Sequence, residues 1–218
     1  VAGAQAQTAT VDRYASSRGI PRLAFINKCD RPGADPAAAA ASLAPLGHNP
    51  VLLQLPIGLG REFRGVVDLV TLRARRFEEQ DGWQEVEVPS EMSAEVVAAR
   101  ADLLEAASEH SDALLEALIE ERMPSEDLIH EAIRAGTLSG GLTPVLIGSA
   151  YYNRGVAALL DAVVRYLPDP TRRSVTARGE QGEVRLETSA DAPALAQVFK
   201  IQVTRFGALA WLRVHRGV

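Results

Sequence analysis

The chain has 218 residues, 47% of them apolar and 23% charged, and a net charge of −5. That is enough for one large domain or two modest ones with a real core, and the acidic balance excludes broad adhesion to nucleic acid or to an anionic membrane. The single cysteine excludes a disulfide framework or a cysteine-rich zinc site and suits a reducing compartment, the cytoplasm. No apolar run reaches the ~18 residues of a membrane span, and no charged segment leads into an apolar one as in a signal peptide. The sequence opens Val-Ala-Gly-Ala-Gln without a methionine and stops at His-Arg-Gly-Val inside a strand-like pattern. It reads as a piece of something longer.

In chain order, residues 5–18 predict a helix ended by Gly19 and Pro21. Residues 23–26 predict a short buried strand of the parallel kind. Asp35-Pro36 is a helix start, a capping side chain followed by Pro in the first turn, and the alanines carry that helix to about Leu46 and Gly47. From 50 to 89 short segments of partly alternating polarity, separated by turn residues, predict an antiparallel meander. Between 93 and 121 the apolar pairs Val96-Val97, Leu103-Leu104, Leu114-Leu115 and Leu118-Ile119 mark one or two amphipathic helices. Ser125 caps a shorter helix with Leu128, Ile129, Ala132 and Ile133 on one face and Gly136 closing it. A buried strand returns at 144–147. A helix at 156–167 follows, with Leu159, Leu160, Val163 and Val164 facing inward. Residues 171–192 are polar and linker-like, and 194–203 with 208–215 look like two strands of a further β domain. No internal repeat is present.

The chemistry sits behind the first strand, in Asn27-Lys28-Cys29-Asp30. Asn-Lys-x-Asp after an apolar strand is the guanine-reading motif of GTPases. The Asp30 carboxylate can accept two hydrogen bonds, from guanine's ring N–H and from its exocyclic amine. Adenine offers no such donor pair, so the wrong base leaves a charge unpaired. The Lys28 stem can lie along the base, and Asn27 can tie neighbouring loops together. A plain turn is the competing reading, since these residues also make good turns. Gly148-Ser149-Ala150 is the second element, again behind a buried strand, where ligands of open α/β sheets bind. A small turn there lets backbone N–H groups approach the guanine carbonyl oxygen. Alone it is only a tight turn; beside the first motif it carries meaning. The two motifs lie 118 positions apart, whereas a strand crossover needs about a dozen residues. A subdomain of about ninety residues is therefore inserted between them.

These residues resemble the elongation factor G family of ribosomal GTPases. The likeness is carried by "VAGAQAQT", "PRLAFINKCDRPGAD", "LGHNPVLLQLPIG", "FRGVVDLV", "TPVLIGSAYYNRGVAALLDAVVRYLPDP" and "VFKIQV". It covers everything except 171–192. The resemblance implies an α/β fold: the C-terminal part of a P-loop-type GTPase domain at 1–47 and 143–170, with an inserted α+β (G-prime) subdomain at 48–142. A linker at 171–192 then leads to the first strands of a β-barrel domain at 193–218. It implies GTP or GDP as ligand, held here by Asn27, Lys28, Asp30, Ser149 and Ala150. The phosphate loop, the switches, the catalytic histidine and the Mg²⁺ ligands of the family lie upstream of this sequence. No GxxxxGK[ST] occurs in it. No catalytic or metal-binding residue is therefore expected within these residues, and they should hydrolyse nothing on their own. The expected partners are the ribosome and its stalk protein, the latter through an acidic helix at 95–121. Contact with tRNA and mRNA is expected to be indirect, and no DNA or membrane partner is expected. The divergence of "VTRFGALAWLRVHRG" leaves room for a paralogue that recycles, rescues or protects ribosomes. A non-catalytic ribosome- or stalk-binding module is the reading from another class.

Other chemistry-bearing residues read more plainly. His48, His110, His130 and His215 share no metal-ligand spacing. Cys29 reads as a small apolar filler rather than a redox-sensitive thiol. Arg73, Arg75 and Arg76 read as a charge-protected strand edge.

Overall fold

The structure is a computed structural model and describes residues 2–78, 82–169, 175–179, 182–205 and 207–217. It divides into two units, one ending at Leu167 and one beginning at Pro168. The first unit contains α1 (Ala6–Ser16), β1 (Ala24–Ile26), α2 (Pro36–Ala41), β2 (Pro50–Leu52), β3 (Gln54–Ile57), β4 (Gly65–Asp68), β5 (Arg73–Phe77) and β6 (Trp83–Val86). The helices α3 (Ser93–Ser108), α4 (Asp112–Ile119) and α5 (Glu126–Ser139) follow, then β7 (Thr143–Ile147) and α6 (Val156–Tyr166).

Two sheets organise this unit. In the first, β7 lies between β1 and β2, and both pairings are parallel. All five residues of β7 are buried, as a strand with neighbours on both sides must be, whereas β1 is only half-buried at an open edge. In the second sheet, β3, β4, β5 and β6 form an antiparallel meander. The meander thus begins at Gln54 rather than at Pro50. A run such as Pro50-Val51-Leu52 has no alternation, so nothing in it separates a meander strand from a buried parallel one. Leu53 is the hinge between the sheets: its N–H donates to Val145 at 2.9 Å and its carbonyl accepts from Leu69 at 2.9 Å. The buried Gln54 side chain then accepts from the Ile147 N–H at 3.4 Å, beyond the point where β2 leaves β7.

One apolar cluster joins both sheets to the helices, running through Val51, Leu55, Val67, Leu103, Leu114, Ile133 and Leu146. The helix starts follow the capping residues. Asp35 accepts from the Ala38 N–H at 2.9 Å, and Ser111 and Ser125 accept from Leu114 and Leu128, each at 3.3 Å. Such caps contribute about 1 kcal/mol each. Ser111 also divides the predicted 93–121 stretch into two helices.

Several expectations are corrected. Gly136 lies inside α5, not at its end; a Cβ there would come within 2.5 Å of the His110 ring, and Gly140, at φ 77°, closes the helix instead. On α6, Ala162 and Tyr166 are buried, while Leu160 and Val164 are 60% and 82% exposed. Four consecutive-pair apolar positions cannot all share one face narrow enough for this contact. Arg75 does not guard an edge, because β5 lies between β4 and β6; its guanidinium covers the Trp83 ring at 4.4 Å. In the second unit, the stretch read as a linker contains an antiparallel pair, β8 (Val175–Gly179) and β9 (Gly182–Leu186), and β10 (Leu195–Thr204) pairs antiparallel with β11 (Gly207–Arg216). No closed barrel forms among the described residues.

A half-buried polar chain fastens α1 to the parallel sheet. His48 lies 2.8 Å from Thr143 Oγ1 through Nδ1 and 2.8 Å from Asp12 Oδ1 through Nε2, and Arg22 Nη1 meets the same carboxylate at 2.5 Å. Burial raises the Asp12 pKa, but His48 and Arg22 outweigh it and hold the carboxyl below its ordinary value. A depressed folded-state pKa adds stability that is present above about pH 4 and is lost as pH falls through the folded value. Asp12→Asn should therefore lower the melting temperature by a few degrees at pH 7. Melting curves of the two proteins should converge as the pH is taken below about 4.

Candidate functional site

The parallel pairing of β1 with β7 sets Ile26 beside Ile147, so both strands end at the same level and both release their turns at one rim. Backbone bonds continue past the strand ends: the Gly148 N–H donates to the Ile26 carbonyl at 3.0 Å, and the Cys29 N–H to the Gly148 carbonyl at 3.1 Å. Asn27 then joins the two turns. Its Oδ1 accepts from its neighbour Lys28 N–H at 2.7 Å and from the Ala150 N–H at 2.9 Å, across 123 residues of sequence. Lys28 sits in the left-handed region at φ 67°. That costs a non-glycine residue of order 1 kcal/mol or more, and such strain concentrates at binding sites.

All five residues singled out from the sequence are thus at one place. Lys28 is exposed, and Asp30 keeps 15% of its side chain accessible. The only charge recorded beside the Asp30 carboxylate among the described residues is Arg31 Nε, at 3.8 Å. Its acceptor oxygens carry no hydrogen bond from any described residue, which fits a ligand bearing paired N–H donors. Ser149 is buried, with its Oγ unbonded, so its contribution to the rim is backbone rather than hydroxyl. A 630 Å³ cleft between α1 and β1 is a separate feature: of the five residues only Asn27 lines it.

Cys29 faces inward. It is fully buried, its thiol points at the Ile26 carbonyl at 3.3 Å, and burial pushes the thiol pKa up. A buried thiol with a raised pKa is an inert packing group. It packs with Phe63, Val66 and Ile147, which ties the rim to the β3–β6 sheet. Sequence reasoning missed the residues that hold the rim from that side: Gly60, whose N–H donates to the Cys29 carbonyl at 2.9 Å, and Arg154, whose Nη1 donates to the Phe63 carbonyl at 2.7 Å. The one available signal was the Asn-Arg-Gly stretch, where Asn153 and Gly155 adopt φ 52° and 82°. Among the described residues no three His, Cys, Asp or Glu side chains converge to hold a metal ion.

The Elongation factor Tu GTP binding domain family matches residues 1–169. Elongation factor G 2 of Anaeromyxobacter dehalogenans is 48% identical over all of this chain, and elongation factor G 1 of Treponema pallidum 45%. The chain spans about a third, 32%, of the length of each. A solved crystal structure of a protein from Thermus thermophilus superposes with a TM-score of 0.79 at 31% identity, covering 99% of this chain and 30% of that one. The chain belongs to the elongation factor G branch of the family built on the elongation factor Tu GTP-binding domain.

Proposed function

We propose that these residues are the guanine-reading part of a GTPase that binds GTP on the ribosome and promotes translocation during protein synthesis, in the cytoplasm. The observation that carries this reading is the Asn27 Oδ1 bond to Ala150 N–H, which sets the Asn27-Lys28-Cys29-Asp30 turn against the Ser149-Ala150 turn. Asp30 pairs with guanine, Lys28 lies along the base, and the Ser149-Ala150 backbone closes over it. Residues 1–47 and 143–170 serve as the nucleotide-domain part and 48–142 as the inserted subdomain. Residues 171–192 lead into 193–218, the start of the next β domain. When bound, Mg²⁺ and the phosphate groups are handled by residues outside this sequence, so the 218 residues alone hydrolyse nothing. Among the described residues no helix is long and apolar enough to cross a membrane.

The inserted subdomain supplies the contact with the ribosomal stalk. Glu95, Asp102, Glu105, Glu109, Asp112, Glu116, Glu120 and Glu121 are all exposed along α3 and α4 and the turn that follows. A one-signed field of this kind steers a basic partner and weakens with salt. Recycling or rescue of ribosomes would use the same nucleotide site, and the assay below separates those roles from translocation.

Asp30→Asn in the intact gene product should weaken GDP binding about a hundredfold, by removing the acceptor the base needs, and raise affinity for xanthosine diphosphate, whose C2 carbonyl can accept from the new amide. Unchanged selectivity for GTP over ATP would mean that Asp30 does not read the base. Reversing Glu105, Glu109 and Glu116 to Lys should slow association with ribosomes at least about tenfold at low salt; equal on-rates would remove the stalk assignment. Stimulation of tRNA and mRNA movement in a reconstituted assay separates translocation from recycling, which would instead show as subunit splitting.

A further inference from the structure

The two base-reading turns are held by one piece of the β3–β6 sheet, the loop 58–64 between β3 and β4. On one side the Gly60 N–H donates to the Cys29 carbonyl at 2.9 Å. On the other, Arg154 Nη1 donates to the Phe63 carbonyl at 2.7 Å. The loop is a firm reference. Phe63 is 1% exposed and its ring meets Phe77 edge-on at 5.4 Å. Gly58 sits at φ 74°, where a Cβ would lie 2.0 Å from the Glu62 carbonyl oxygen.

Arg154 is the residue that reads this reference into the rim. Its N–H and carbonyl exchange both hydrogen bonds with Ser149, at 3.0 and 2.9 Å, closing the 149–154 turn. Its carbonyl oxygen would lie 2.3 Å from any Cβ on Gly148, so the turn has no slack at its base. Its guanidinium covers the Tyr152 ring at 5.4 Å while donating to Phe63. A planar cation can stack and donate at once. The Ala150 N–H thus sits in a turn whose last residue is anchored by its side chain to the Phe63 carbonyl.

We propose that Arg154 is a positioning residue of the guanine site, and that through it the loop 58–64 sets how long a guanine nucleotide stays bound. The inference rests on the guanine-site reading above. The test measures release of N-methylanthraniloyl-GDP from the intact gene product carrying these residues. Arg154→Ala should speed release about tenfold, a change of about 1.4 kcal/mol. Arg154→Lys, which keeps a cationic donor but loses the planar stack on Tyr152, should release faster than wild type but slower than Arg154→Ala. Release from Arg154→Ala within about twofold of wild type would overturn the inference, the threshold being well below one hydrogen bond's worth. Equal acceleration in both variants, tracking a fall in melting temperature, would mark a merely structural role and overturn it too. Should Arg154→Ala fail to fold, Arg154→Met, which keeps the stem and loses only the donors, is judged by the same thresholds. A wild-type protein that binds no GDP overturns the guanine-site reading itself; GDP binding with unmoved release overturns only this inference.

Discussion

One side-chain oxygen, Asn27 Oδ1, accepts from two backbone N–H groups that belong to different turns of the chain, those of Lys28 and Ala150. The rest of the rim depends on that arrangement. Both bonds lie at the exposed rim, where a hydrogen bond contributes a net of about 0.5–1.5 kcal/mol. Asparagine can meet both at once, because its carbonyl oxygen has two lone pairs and, unlike aspartate, brings no charge to compete with Asp30. The turns therefore define each other's shape, and residues 27–30 and 148–150 sit on backbone fixed from both sides.

Behind the rim, stability and site share the same atoms. β7 is buried along its whole length because it serves two parallel neighbours, and its last residue, Ile147, belongs to the small cluster of Cys29, Phe63 and Val66 under the turns. Glycine is required where these layers meet. A Cβ on Gly148 would press on both the Arg154 carbonyl and the Phe25 ring, and Gly155 follows at φ 82° with Ile147 equally close. Substituting either would strain the backbone that carries Ser149 and Ala150.

The two motifs were legible because each joins a buried apolar strand to polar turn chemistry, a contrast visible in a single sequence. Their juxtaposition was legible from the same logic, since both follow strands suited to one parallel sheet. The membership of β2 was not: Pro50-Val51-Leu52 lacks the alternation that would have identified its sheet, and its partner Thr143-Pro144-Val145 is remote. The inward face of α6 was misread because pairs such as Leu159-Leu160 and Val163-Val164 offer two candidate faces, and only tertiary packing chooses between them. Arg154 was invisible because its partner is a backbone carbonyl, which every residue has and no sequence pattern marks.

The order of strands along the chain also shapes how the protein comes to exist. β1 and β2 do not pair with each other; each waits for β7. At roughly 5–20 residues per second, a ribosome leaves both strands without a partner for several seconds or more after they emerge. The meander and the helices after it are made of near neighbours in sequence and can close in that interval, since short loops cost the least entropy. Nascent β1 thus waits without a strand partner while the meander pairs locally. Only the arrival of β7 joins β1 and β2 into one sheet and brings the 148–150 turn beside Asn27.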